Sequence, residues 1–155
     1  MKNLCGIIRK FIKSRGYKNG SLKIGVIDNE FSPDAFLSLK KDLSCIYFYS
    51  ESHLNFDDFY KKTGIPVIIK NKPEENECDI LIVRNEVSYR FPTTVKLIIE
   101  TGGTDFKDSR CISDIKVSKN VETGIIGIKK SILNELAGID NDIEGFVKKT
   151  LDTNT

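Results

Sequence analysis

Residues 22–37 read LKIGVIDNEFSPDAFL. The start of this stretch, at 23–27, is a short apolar run of the kind found in buried strands. Ser32 is a preferred helix N-cap, and the fixed φ of Pro33 suits the first position of a helix. The inner stripe of that helix would consist of Ala35, Phe36, Leu39 and Leu43. The stretch therefore predicts a strand, a tight turn and a helix in succession.

Strands and helices keep alternating along the rest of the chain. Apolar runs predict further strands at 45–49, 65–69, 79–83 and 95–99, with edge strands at 114–117 and 124–128. A short helix is expected at 56–62, where Phe56, Phe59 and Tyr60 would form a stripe packed in the core. Two amphipathic helices would close the chain, one with Ile132, Leu133 and Leu136 inward and one that starts near Asp140 or Asp142.

This alternation indicates the architecture. Continuous apolar strands that alternate with helices favour a parallel sheet with right-handed crossovers. We expect a three-layer α/β domain with a mostly parallel sheet of five to six strands and helices on both faces. The 155 residues would form a single domain, 1–155, with a core at 22–128 and flanking helices at 3–15 and 128–151.

The charge of the chain is polarised. Residues 1–27 contain seven basic and no acidic side chains, so the other 17 basic and 22 acidic residues leave a net charge of −5. Segment 3–15 combines four of these bases with an apolar stripe, which predicts an amphipathic basic helix. Such a helix could lie on an anionic membrane, but we favour a helix whose stripe covers the sheet. We expect no nucleic-acid partner.

Composition and cysteine usage bear on the compartment. Cys5, Cys45, Cys78 and Cys111 are scattered without a C-x-x-C pair, and two of them lie inside apolar segments, so we expect buried free thiols. In residues 1–10, charges interrupt the first apolar stretch instead of preceding it, and the other apolar runs are too short to span a membrane. We therefore expect a cytoplasmic protein.

A resemblance to a known family follows from two runs of sequence. Residues 23–37, followed by a strand that ends in Tyr49-Ser50-Glu51, look like the opening of an NAD(P)-binding Rossmann domain. The runs at 63–67, 78–83 and 95–99 are similar to the second half of such domains in amino-acid, shikimate and methylene-tetrahydrofolate dehydrogenases. The resemblance covers roughly residues 22–103 and implies a Rossmann-like fold.

The chain departs from that family at the phosphate-binding turn. The three glycines of the family motif are replaced by Asp28, Glu30 and Pro33. In the family these glycines allow the turn, the approach of the pyrophosphate and close packing of the helix. Two carboxylates would repel the phosphates, so we expect no dinucleotide in the ordinary pose and no cofactor. Glu51 stands where the ribose-binding acid of the family would be, about twenty residues after the turn.

Two other groups of residues could form a site. The acids Asp28, Glu30, Glu86 and Glu100 all follow predicted parallel strands, whose carboxyl ends meet at one edge of the sheet. Carboxylates that converge there could bind Mg²⁺, although no short metal-binding signature supports this. The turn that contains Gly102 and Gly103 could present backbone N–H groups to an anion. His53 is the only histidine, which excludes a multi-histidine metal site.

Two function hypotheses remain open. The favoured one is a non-catalytic binding or regulatory module that binds a protein partner or a small molecule other than a dinucleotide. Self-association through the first or last helices would be one form of it. The alternative is a small enzyme that uses the strand-end carboxylates, with or without Mg²⁺, or an NAD(P)-dependent oxidoreductase with an atypical phosphate loop.

Overall fold

The computed structural model describes residues 2–51, 54–85, 87–101, 113–117 and 125–137. The strands within these ranges are β1 (Leu22–Ile27), β2 (Leu43–Tyr49), β3 (Val67–Lys70), β4 (Ile80–Val83), β5 (Leu97–Thr101), β6 (Ile115–Val117) and β7 (Ile125–Ile128). The helical segments there are α1 (Lys2–Arg15), a 3-10 helix (Pro33–Leu39), α2 (Asp57–Thr63) and α3 (Lys130–Ala137). The closing helix predicted from Asp140 or Asp142 lies outside the described residues.

The strands form one sheet in the order β3-β2-β1-β4-β5-β6-β7. Strands β1 to β6 are parallel, and β7 pairs antiparallel with β6. The order 3-2-1-4-5-6 is that of Rossmann folds. The predicted three-layer Rossmann-like fold with a mostly parallel sheet is therefore confirmed. The edge position predicted for 124–128 is confirmed, but the one predicted for 114–117 is wrong, because β7 covers the free side of β6.

One face of the sheet, here called the first face, holds the larger core cluster. Strand residues such as Ile24, Ile46, Ile80 and Ile99 are buried there. All four described helical segments contribute to this cluster, with Leu4, Ile8 and Phe11 of α1, Phe36 of the 3-10 helix, Phe59 of α2 and Ile132 and Leu136 of α3. Each of them therefore turns apolar side chains toward the first face.

Helix α1 confirms the prediction of a basic amphipathic helix that covers the sheet. Its apolar residues Leu4, Ile7, Ile8, Phe11 and Ile12 are all buried. Its last turn is tied to α3 by Arg15, whose Nε and Nη2 donate to the two carboxylate oxygens of Glu135 at 2.8 and 2.9 Å. The apolar stripe is therefore used inside the core and is not free for a membrane or for a second copy of the helix.

The opposite face of the sheet, here called the second face, carries a smaller cluster. Ile27, Tyr49, Leu81 and Val83 are buried there. In the described part of the chain its outer layer comes from the connections after β3 and β4, with Cys78, Val87, Tyr89, Phe91 and Val95. Right-handed crossovers place these two connections on the side opposite to those that follow β1 and β2.

The helix after β1 begins where predicted but differs in type. Ser32 precedes it and Pro33 opens it, yet it is a seven-residue 3-10 helix and Ser32 makes no side-chain cap hydrogen bond. Its fully buried residues Phe36 and Leu39 are three apart, which matches the period of a 3-10 helix. Leu43, predicted on the same helical stripe, instead begins β2.

The free buried thiols expected from the sequence are confirmed for three of the four cysteines. Cys5, Cys45 and Cys78 are free and buried, and Cys111 lies outside the described residues.

Burial raises the pKa of the Cys78 thiol to about 12. We expect iodoacetamide to leave Cys78 of the native protein unmodified at about pH 8, since the reactive thiolate is absent there. Peptide mapping by mass spectrometry, with and without urea, would check this, and equal labelling in both would contradict it.

No helix in the described part of the chain is long and apolar enough to span a membrane.

Candidate functional site

The carboxyl ends of β1 and β4 lie side by side in the middle of the sheet. After β1 the chain turns toward β2, and after β4 it turns toward β5 on the other side. Open α/β sheets bind ligands in the crevice at such a switch point. The crevice is built from Asp28 and Asn29 after β1 and from Arg84 and Asn85 after β4.

Asp28 is paired across this crevice. Its Oδ2 lies 3.3 Å from Nε of Arg84, and the Asp28 side chain is 13% exposed while that of Arg84 is 44% exposed. The backbone N–H of Arg84 donates to the carbonyl oxygen of Ile27 at 3.0 Å, which fixes the start of the second loop against β1. Arg84 therefore balances the charge of Asp28. A phosphate would meet less repulsion than the sequence predicted, but the adjacent cation is already engaged.

The loop between β1 and the 3-10 helix is filled by an aromatic side chain. Phe31 lies in the loop and packs with its ring centroid 5.2 Å from that of Phe48, 5.9 Å from Phe36 and 5.8 Å from Phe56. Pro33 is buried and has no N–H, and the N–H of Ala35 donates to the carbonyl oxygen of Ser32. Two of the N–H positions that could hold a pyrophosphate at a helix N-terminus are thus absent or engaged.

The other predicted residues of the lost dinucleotide site lie at the same sheet edge. Glu30 and Glu51 are both exposed, after β1 and β2 respectively. Since Ile27 and Tyr49 are in register, the two acids follow neighbouring strand ends. Four further predicted residues, His53, Glu86, Gly102 and Gly103, fall outside the described residues.

Two polar side chains at the end of β5 are buried, and one oxygen atom of each makes no hydrogen bond with the described residues. Glu100 and Thr101 are each 5% exposed. Glu100 Oε2 accepts a hydrogen bond from Ser113 Oγ at 2.8 Å and lies 3.9 Å from Lys116 Nζ. Glu100 Oε1 and Thr101 Oγ1 have no hydrogen-bond partner among the residues that the structure describes. Buried polar atoms of this kind are rare, so each needs an explanation.

The predicted metal-binding acids lie at the ends of different strands. Asp28 follows β1 and Glu100 lies in β5, with β4 between them, and strands two apart are about 10 Å from each other. Glu30 is exposed in the loop after β1. Among the described residues no group of three or more histidine, cysteine or acidic side chains could hold a metal ion.

The edge of the sheet at β3 carries a feature that the sequence did not reveal. The four exposed large apolar side chains of the described chain are Leu54, Tyr60, Ile68 and Ile69, which are 42%, 54%, 39% and 37% exposed. Leu54, Tyr60 and Ile69, with Phe56, Pro66 and Val67, line a groove of about 380 Å³ between α2 and β3. We call these four exposed residues with Val67 the β3 edge surface. Core packing was predicted for Tyr60 and is wrong, because α2 ends over an edge strand.

Comparisons with known protein families, with curated proteins and with solved structures found no match to this chain. The strand order alone therefore assigns a class to the protein, a three-layer α/β domain with Rossmann strand order.

Proposed function

We propose that this chain is a degenerate NAD(P)-binding Rossmann-like domain that acts as a non-catalytic binding module. Its ligand is a protein, and its binding surface is the β3 edge surface. Dinucleotides do not bind in the ordinary pose. The module works in the cytoplasm, where its free buried thiols stay reduced.

One observation carries the choice of ligand: the exposed large apolar side chains of the described chain are gathered along the outer edge of β3 and in the groove beside it. Scattered apolar residues on a surface need no explanation, whereas a contiguous strip is typical of protein interaction sites. The contacts at the switch point between β1 and β4 also favour a protein over a dinucleotide as the ligand. There, Arg84 is engaged with Asp28, and Phe31 packs against the aromatic rings of the first face.

Dinucleotides are expected to leave the melting temperature of the protein unchanged, within about 1 °C, because a ligand of the native state must raise it. The measurement is a thermal shift with NAD, NADP and their reduced forms at millimolar concentration. A clear rise with any of them would contradict the proposal. In that case Arg84→Ala, which removes the cation at the switch point, should reduce the rise.

A second candidate is a small enzyme that uses Glu100, favoured by its buried Oε1, which accepts no hydrogen bond from the described residues. If that oxygen binds a divalent cation, Mg²⁺ or Mn²⁺ would raise the melting temperature in the same assay. The rise would disappear in Glu100→Gln, which keeps the shape of the side chain and removes its charge. The absence of any rise would leave the binding module as the better proposal.

A further inference from the structure

We propose that the partner at the β3 edge surface is a second copy of this chain. Its β3 pairs antiparallel with the first β3 about a two-fold axis that passes through Ile68. The two sheets then form one continuous sheet across the dimer. This inference rests on the protein-binding role proposed above and names the partner.

In the described part of the chain no strand pairs with the outer side of β3, so the backbone groups on that side are available for such pairing. The carbonyl oxygens of Pro66 and Lys70 accept from Ile46 and Ser50, so these residues turn their polar groups toward β2. Because alternate residues of a strand point their N–H and C=O in opposite directions, Val67 and Ile69 turn theirs outward. With Ile68 on the axis, each Val67 lies opposite Ile69 of the other copy, and the two residues exchange hydrogen bonds.

This register also gives compatible side-chain pairs. Val67 and Ile69 project to the first face, so apolar residues oppose each other there. On the second face Ile68 meets its own copy, and Lys70 lies opposite Pro66 instead of another lysine. Lys70 is neutralised within its own chain by Glu74 and Glu77. If the axis passed through Ile69 instead, Ile68 would lie opposite Lys70 and these apolar contacts would be lost.

The charges of helix α2 are complementary to those of α2 in a second copy related by this axis. A two-fold axis perpendicular to the sheet keeps both α2 helices on the first face and makes them antiparallel. The first turn of α2 is acidic, with Asp57 and Asp58, and its last turn is basic, with Lys61 and Lys62. Asp57, Tyr60 and Lys61 share one side of the helix, and Asp57 and Tyr60 line the groove beside β3. Asp57 of each copy would therefore face Lys61 of the other.

A closed dimer also accounts for the small extent of the β3 edge surface. Isologous interfaces need a surface that complements itself, and this one combines a strand, an apolar centre and opposite charges at its two ends. Pro66 and Lys70, residues typical of protected edge strands, lie at the ends of the free segment and limit further pairing.

The test is the oligomeric state of the full chain, measured by sedimentation velocity and light scattering between about 1 and 200 µM, the range of weak to moderate dimers. We expect a dimer in the wild-type protein. Ile68→Lys places two lysines on the axis and should raise the dissociation constant at least about 10-fold. Asn19→Lys, which adds the same charge in an exposed turn outside the β3 edge surface, should leave it unchanged.

A charge exchange tests the α2 contacts. Asp57→Lys or Lys61→Asp alone places like charges opposite each other and should weaken the dimer by roughly 5-fold or more. The double variant restores opposite charges between copies and should return the dissociation constant to within about 2-fold of the wild-type value. Circular dichroism of each variant would show that it remains folded.

A monomeric wild-type protein over the whole range would overturn the inference, as would a dimer that is insensitive to Ile68→Lys. In either case an unchanged thermal shift with dinucleotides would leave the proposed function in place, with a different protein partner. A dinucleotide-induced rise in melting temperature would remove the proposed function whatever the oligomeric state.

Discussion

Replacing Gly25 with alanine is expected to lower the free energy of unfolding by roughly 2–3 kcal/mol, since it overfills a packed site. A Cβ atom at this position would lie 2.7 Å from Cε2 of Tyr49, 2.9 Å from Sγ of Cys78 and 3.2 Å from Cδ1 of Leu81. The Tyr49 ring cannot move aside easily, because its hydroxyl is hydrogen-bonded to Glu77. The small residue therefore lets the connection after β3 pack tightly on the second face.

Urea unfolding monitored by circular dichroism would measure this loss, and the melting temperature should fall by about 5–10 °C. Gly6→Ala is the matched control. Gly6 lies within α1, and a Cβ atom there would have no neighbour within 4 Å. Because alanine favours helices, Gly6→Ala should stabilise the protein by about 0.5–1 kcal/mol. A Gly25→Ala variant as stable as the wild type would contradict the packing of the second face.

The sequence predicted the fold because its signals there are local. Continuous apolar runs such as those of β1 and β4 indicate strands that are buried on both faces, and both are. The stripe of α1 predicted a helix that covers the sheet, since five apolar residues recur at helical spacing. Features of this kind depend on residues within one helix or one strand.

The candidate site was harder to predict because it depends on the order of the strands. Arg84 pairs with Asp28, which is 56 residues earlier in the chain, only because β4 lies next to β1. The exposure of Ile68 and Ile69 follows from the position of β3 at the edge of the sheet, although their apolar run suggests a buried strand. Pro66 and Lys70 were the available signal, since proline and lysine often protect edge strands.

The hydrogen bonds of Glu77 lead to the second large expected effect. Glu77 is 10% exposed, accepts a hydrogen bond from the Tyr49 hydroxyl at 3.0 Å and another from the Glu74 N–H at 2.8 Å, and pairs with Lys70 Nζ. Glu77→Ala would leave the buried Tyr49 hydroxyl without an acceptor. We expect it to lower the free energy of unfolding by roughly 2–4 kcal/mol.

Two controls separate this network from a surface ion pair. Glu74→Ala removes an exposed partner of Lys70 that lies 3.1 Å away, and should cost at most about 0.5 kcal/mol. Tyr49→Phe in the Glu77→Ala background removes the unpaired hydroxyl, so the double variant should lose less stability than the sum of the two single variants. Additive losses would show that Tyr49 and Glu77 are not coupled.

The same network makes stability depend on pH in a defined direction. Burial by itself raises the pKa of Glu77, but the hydrogen bonds from Lys70, the Glu74 N–H and Tyr49 outweigh it, so the pKa in the folded state lies below its ordinary value. A lowered folded pKa means that the stabilisation is complete above the ordinary value, about 4.3, and is lost as the pH falls through the folded value. The contribution of Glu135 to stability depends on pH in the same direction, because its hydrogen bond with Arg15 also lowers its pKa.

Urea unfolding between about pH 7 and pH 2.5 should therefore show a steeper loss of unfolding free energy in the wild type than in Glu77→Gln. In that variant only the contributions of Glu135 and of other groups remain. Parallel curves for the two proteins would mean that the Glu77 carboxylate does not stabilise the folded state.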